Sequence, residues 1–318
     1  MKINRIILAP MEGVLDYQVR QLLTEINQFD YCVTEFIRVT HHKLSNRTFY
    51  RLCPELYNNG KTKSGTPVRV QILGQSPEWM AENAVKAIEL GSYGIDINFG
   101  CPAKTVVGSH GGAYLLQYPE QIFNIVSQVR QAIGATNKLS VKIRLGWDNK
   151  SHCHEIANAI ELAGANEIAI HGRTKEDGYK TEKIDWQTIG QIKQHLKTPV
   201  IANGEIFSIA DAENCISQSQ TNDIMLGRGI LTIPNLANMI RTKQSALNWQ
   251  QVMEILIHYA TSSIDNAKPL YHSARIKQWL AYLKQRYVQA SEILQNIRTL
   301  KSQQEICQFL TNGNKNNT

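Results

Sequence analysis

Short apolar runs alternate with stretches whose apolar positions recur every three or four residues, and this alternation continues to about residue 235. The compact runs are Ile6–Ala9, Tyr31–Thr34, Val68–Leu73, Gly94–Asn98, Ser140–Arg144, Glu167–His171, Val200–Asn203 and Asp223–Leu226. Most are apolar throughout instead of strictly alternating, the pattern of strands buried on both faces. Helical spacing fills the gaps. Pro77 to Leu90 is the clearest case, with Ser76 as a candidate N-cap and Met80, Ala84, Ala87 and Ile88 on one face. Glu155–Leu162 and Asp211–Ile216 behave alike. Eight β-then-α units over roughly 230 residues match the count and length of a (β/α)8 TIM barrel, an α/β fold. A doubly wound open sheet is the other arrangement considered, and it usually has fewer strands.

The pattern changes after about residue 240. Val252, Ile255, Leu256 and Tyr259 form one helical stripe. Ile276, Leu280, Leu283 and Tyr287 form a second, Ile293, Ile297 and Leu300 a third, and Ile306, Phe309 and Leu310 a last short one. Amphipathic helices with short connections pack antiparallel. The expected organisation is a catalytic barrel over 1–240, a small α-helical bundle over 241–311 and a polar tail over 312–318.

Composition narrows the class. Of 318 residues, 42% are hydrophobic, enough for a sizeable core. The six cysteines are scattered and no Cys-x-x-Cys pair exists, which argues against a metal site. A disulfide framework is equally unexpected at this size, so a reducing cytoplasm is the natural setting. Ile6–Ala9 is too short for the apolar core of a signal peptide, and no window reaches the ~18 apolar residues of a membrane span. From Arg241 onward ten Lys/Arg face four Asp/Glu, so nearly all of the chain's net charge of +7 lies in the last quarter. Such an asymmetry suits a polyanionic partner, and equally a solvated helical surface that happens to be basic.

The chemistry gathers at the strand ends. Asp96-Ile97-Asn98-Phe99-Gly100-Cys101-Pro102 puts one cysteine just past a strand, where parallel α/β enzymes place their reacting groups. Pro102 pushes Cys101 toward an extended backbone. Other strands lead into Pro10-Met11-Glu12, Lys142-Ile143-Arg144, His171-Gly172-Arg173, Asn203-Gly204-Glu205 and Gly227-Arg228-Gly229, and the third contains Gln71. Any one of these could be a turn residue; together they describe a furnished barrel mouth. The glycine loops after the last two strands, with Arg228, fit a phosphate group. No P-loop or Rossmann fingerprint is present, so flavin mononucleotide (FMN) fits better than ATP. Lys142, His171 and Gln71 would reach the flavin ring, where a cation favours the anionic reduced state.

These motifs stand in the order and spacing of the tRNA-dihydrouridine synthases, which the chain resembles over nearly its whole length. Thr34-Glu35-Phe36-Ile37-Arg38 and Ala274-Arg275-Ile276-Lys277-Gln278-Trp279-Leu280 are most similar to the bacterial branch acting on uridine 16 of the D-loop. The resemblance implies a flavin-binding barrel followed by a helical tRNA-recognition domain. It implies reduction of uridine to 5,6-dihydrouridine, with the hydride from reduced FMN, the proton from Cys101 and the electrons from NADPH. Pro10, Met11 and Glu12 would line the flavin. Gln71, Lys142 and His171 would contact its ring, and Asn203, Gly204, Glu205, Gly227 and Arg228 would hold its phosphate end. Asn98 and Tyr179 would lie beside the target base. Arg38, Arg275, Lys277, Tyr282 and Arg298 would be branch-specific tRNA contacts. A cytoplasmic monomer without membrane attachment is expected. Two positions depart from the family pattern: Phe99 fills a variable slot, and His110 stands where glycine is more usual. His110 is expected to alter the mobility of the loop carrying Cys101 and not the reaction. The competing readings are an FMN barrel oxidoreductase of a small metabolite, such as a dihydroorotate-dehydrogenase-like enzyme, and a non-catalytic RNA-binding module.

Overall fold

In the computed structural model, which describes residues 3–262 and 269–315, eight parallel strands close into a barrel. They are β1 (Arg5–Leu8), β2 (Tyr31–Arg38), β3 (Val68–Leu73), β4 (Ile95–Asn98), β5 (Leu139–Arg144), β6 (Glu167–His171), β7 (Val200–Asn203) and β8 (Asp223–Leu226). Each strand pairs with its neighbours in chain order, and β8 closes on β1 through Arg5 to Asp223 and Leu8 to Leu226. Every expected strand is present, which establishes the TIM barrel. One is longer than its apolar run. β2 continues through Arg38 past a register shift between Val33 and Phe36. The polar pair Thr34-Glu35 looked like a strand end, yet both side chains are buried and partnered. Thr34 Oγ1 accepts from Gln71 N at 3.0 Å, and Glu35 Oε1 accepts from Gly13 N at 2.5 Å.

Strand periodicity of two sorts the side chains. Ile6, Leu8, Cys32, Ile97 and Ile170 join the large core between strands and helices, while Ile7, Ala9, Tyr31, Val33, Ala169, Ile201 and Met225 form a separate cluster inside the barrel. The N-terminal end of the lumen is closed by buried charge. Arg5 pairs with Glu167 at 2.6 Å and Asp223 at 2.7 Å, Arg69 also pairs with Glu167, and Tyr31 Oη donates to Glu167 at 2.9 Å. Further along the inward faces, toward the C-terminal ends of their strands, come Gln71, Asn98, Lys142, His171 and Asn203.

Beyond the barrel the described helices are Trp249–Thr261, Pro269–Leu283, Val288–Asn296 and Gln303–Lys315. The first opens with a capping box, Asn248 with Gln251. They are fastened to the barrel by Tyr259 Oη, which donates to the N-cap Asp16 at 3.2 Å, and by Trp279 Nε1, which donates to Leu231 O at 3.1 Å. Tyr287, Ile297 and Leu300 lie just beyond helix ends, with Tyr287 and Ile297 still buried. The last helix runs on through Lys315, into the stretch expected to be a tail; residues 316–318 lie outside the described residues. Among the described residues, no helix is long and apolar enough to cross a membrane.

Candidate active site

The lumen opens at the C-terminal ends of the strands into a cavity of about 780 Å³. That size suits a cofactor-bearing cleft. Its lining includes Cys101 and every residue expected to hold the flavin: Pro10, Met11, Glu12, Gln71, Lys142, His171, Asn203, Gly204, Glu205, Gly227 and Arg228. Three of the expected tRNA contacts, Asn98, Tyr179 and Tyr282, also line it; Arg38, Arg275, Lys277 and Arg298 do not.

Cys101 is half-buried on a loop held from several sides. Asn98 Oδ1 accepts from both Gly100 N and Cys101 N at 2.9 Å. Asn98 Nδ2 in turn donates to Gln71 Oε1 at 2.8 Å, Gln71 Nε2 to Asp96 Oδ2 at 2.6 Å, and Ser140 Oγ to Asp96 Oδ1 at 2.5 Å. A chain of bonds thus runs from the middle of the lumen to the cysteine loop. Burial pushes the Asp96 carboxyl up to about 6, and the bonds from Gln71 and Ser140 oppose the shift. From the other side, Arg144 Nε donates to Gly100 O at 2.9 Å, and its Nη1 to Thr174 O and Gly178 O at 3.0 and 3.1 Å. Gly112 is required behind the loop: it has φ +57°, and a Cβ there would come within 2.8 Å of Cys101 O.

Burial dominates the electrostatics. It raises the Cys101 thiol above its ordinary value, so the thiol keeps its proton at neutral pH. It lowers Lys142 to about 8, with Arg144 adding repulsion, while Lys142 Nζ donates to Asn203 Oδ1 at 2.9 Å. His171 is held well below its usual range by burial and then by Arg144 and Lys142, so its imidazole is neutral. Its Nδ1 is buried without a hydrogen-bond partner among the described residues.

At the expected phosphate end, Glu205 pairs with Arg173 at 3.0 Å and with Arg228. Its carboxylate therefore stands between two guanidinium groups, with Arg228 lining the cavity and Arg173 fully buried. Arg173 Nη1 is buried with no hydrogen-bond partner among the described residues. Arg228 also packs over Tyr179 and Phe207, at 5.0 and 5.7 Å from the ring centres. Gly204 has φ +115°, and a Cβ on it would meet Ile184 at 2.8 Å and His171 Nε2 at 3.3 Å.

The expected RNA contacts outside the cavity have partners of their own. Arg38 Nη2 donates to Ser109 Oγ at 2.5 Å and Thr105 O at 3.2 Å, on the loop after Cys101. Arg275 donates to Tyr271 Oη at 2.9 Å and Gln278 Oε1 at 3.1 Å, and lies 3.8 Å from Glu35. Lys277 Nζ donates to Arg298 O at 3.0 Å and Leu300 O at 2.5 Å. Arg298 is exposed. Sequence reasoning missed Arg144 and Arg173 as site residues. Each lies two residues past a chosen one, Lys142 or His171, and the strand period could have flagged them.

Among solved structures, the fold is similar to a variant of NCR from Zymomonas mobilis, with TM-score 0.53, 14% identity, and coverage of 77% of this chain and 88% of that one. It is also similar to a 2-naphthoyl-CoA reductase complex, with TM-score 0.57, 13% identity, and coverage of 76% and 50%. At such identities the likeness concerns the barrel alone. Sequence relatives are much nearer. The tRNA-dihydrouridine(16) synthase of Pasteurella multocida is 53% identical over 295 residues, 93% of this chain and 95% of that protein. Those of Haemophilus influenzae and Escherichia coli K12 are each 50% identical, over 302 and 306 residues, covering 95% and 96% of this chain and 97% of each relative. The family model for dihydrouridine synthase (Dus) matches residues 7–316, so the barrel, its furnished mouth and the helices after it are those of a dihydrouridine synthase, and the chain belongs to that family.

Proposed function

We propose that this protein reduces uridine 16 of tRNA to 5,6-dihydrouridine, with FMN across the barrel mouth and NADPH as the reductant. Family membership supports a flavin and a tRNA substrate, and sets aside the small-metabolite and non-catalytic readings. The choice of uridine rests on the near-full-length relatives named for position 16. The observation that carries the reading is a protonated cysteine facing a cavity that is also lined by Lys142, His171, Arg144 and Arg228.

The residues present fit a flavin. His171 lines the cavity, and its Nδ1 is a buried polar atom without a hydrogen-bond partner among the described residues. At Gly204, a Cβ would press on His171 Nε2 at 3.3 Å, so glycine leaves the imidazole its place at the cavity wall. Pro10, Met11 and Glu12 would line the flavin, Gln71, Lys142 and His171 would meet its ring, and Asn203, Gly204, Glu205, Gly227 and Arg228 would secure its phosphate end. When bound and reduced, the flavin supplies the hydride that saturates the uracil ring at carbon 6. Cys101 holds a proton at Sγ and gives it to carbon 5 as a general acid. Asn98 and Arg144 fix the loop on which that sulfur rides. Tyr179 and Tyr282 would border the extruded base, whose unstacking costs a few kcal/mol. Arg38, Arg275, Lys277 and Arg298 would help the helical domain, 241–311, hold the tRNA backbone.

Replacing Cys101 with alanine tests the assignment. Dihydrouridine formation should fall by about 10²- to 10⁴-fold while the purified protein keeps its flavin absorbance. A variant that modifies tRNA at the normal rate removes Cys101 from the reaction.

A further inference from the structure

The loop after Cys101 carries a feature that neither flavin binding nor proton transfer uses. His110 has φ +57°, a left-handed backbone that costs a non-glycine residue about 1–3 kcal/mol when held there. Its side chain is exposed. The imidazole lies 4.6 Å from the ring of Tyr114, centre to centre. Tyr114 lies 5.5 Å from Tyr118 and edge-on to Trp147 at 6.0 Å. Lys175 Nζ sits 4.2 Å over Trp147 and also pairs with Glu176. These residues come from the loops after β4, β5 and β6, all on the mouth side of the barrel. Arg38 binds the same loop through Ser109, and Lys104, exposed on that loop, also lines the catalytic cavity. A cluster of half-buried rings, with one strained and exposed imidazole, thus stands on the mouth side of the barrel among cations, one of which, Lys104, also lines the cavity.

If the cluster served only to stiffen the loop, glycine at 110 would do better, since it adopts φ +57° without strain. An aromatic side chain kept at that backbone, next to a mouth that must admit a base, calls for an occupant. Bases stack on aromatic faces regardless of their identity, and cations beside them suit the connecting phosphates. We infer that His110, Tyr114 and Trp147 form a stacking shelf for an unpaired nucleotide next to the extruded uridine, with Arg38, Lys104 and Lys175 facing its phosphates. This rests on the tRNA activity proposed above and adds how the neighbouring strand is held.

The test uses full-length, flavin-loaded protein and tRNA carrying 2-aminopurine at one or the other nucleotide flanking the target uridine. The wild type and Tyr114→Phe should quench the fluorescence at one flanking position. His110→Gly and Tyr114→Leu should lose that quench and bind tRNA at least roughly fivefold more weakly. In turnover, the loss should fall on KM, not kcat. His110→Gly should melt at or above the wild-type temperature, which separates lost stacking from lost folding. Equal quench and equal affinity in His110→Gly and Tyr114→Leu overturn the shelf, as does a fall in kcat with KM and quench intact. If the wild type quenches but forms no dihydrouridine, the shelf stands and the proposed activity falls.

Discussion

Glu12 lines the mouth, within the field of Glu35, and the opposing cation is Arg275. Burial and Glu35 together lift its carboxyl to about 7, against an ordinary 4.5. The folded chain therefore keeps a proton that the unfolded chain releases between those values. Stability from this group is present below about pH 4.5 and is lost as pH rises through 7. In flavin-free protein, Glu12→Gln should gain melting temperature over the wild type as pH is raised from 4.5 to 8; a gap that stays constant contradicts the assignment. Asn98 makes a second prediction at this scale. Its Oδ1 serves two backbone donors, so Asn98→Ala leaves Gly100 N and Cys101 N without that acceptor, at a cost of about 1–3 kcal/mol. Both thermal stability and kcat should fall, and calorimetry beside tRNA turnover would read the two separately.

Among elements, β5 does more than line the lumen. Lys142 and Arg144 leave it on one face, and Arg144 ties the Cys101 loop to the loop holding Thr174 and Gly178. A lysine lacks the planar fork that reaches three carbonyls at once. Arg144→Lys should cost about 10- to 100-fold in kcat and expose the 101–118 loop to limited proteolysis. Unchanged cleavage there would show that the loop does not depend on β5. Trp279 performs a comparable service between the Pro269–Leu283 helix and the Arg228–Thr232 helix that begins at the proposed phosphate end. Trp279→Ala should destabilise the protein by about 3–5 kcal/mol, measured by denaturant unfolding.

Over the whole molecule, the basic last quarter is not a uniformly free surface. Arg275 and Lys277 are engaged within the protein, whereas Arg298 is open to solvent. A phosphate contact weakens the dependence of log affinity on log salt by about one when it is removed. Arg298→Ala should therefore flatten the slope of tRNA binding by about one. The Arg275→Ala, Lys277→Ala double variant should lose stability as well as affinity, because its side chains brace helices. A slope unaltered by Arg298→Ala would take that residue out of the interface.

Much of the fold was legible because strands buried on both faces leave continuous apolar runs, and eight of them in alternation with helices admit few closed arrangements. The missed half of β2 shows the limit: Thr34 and Glu35 read as an end because their partners, Gln71 and Gly13, lie far away in sequence. The mouth was legible as a set of strand ends, since side-chain period two fixes which residues share a face. Its wiring was not. That Glu205 serves two arginines, that Asn98 braces the cysteine loop, and that Arg275 turns toward Glu35 are long-range pairings fixed only when the barrel closes. The sequence by itself determined the barrel, its chemistry-bearing end and the family, because these follow from local periodicity and ordered motifs. Only the tertiary structure decided which polar groups satisfy one another and which are left facing the cavity, because burial sets that outcome and burial belongs to the assembled molecule.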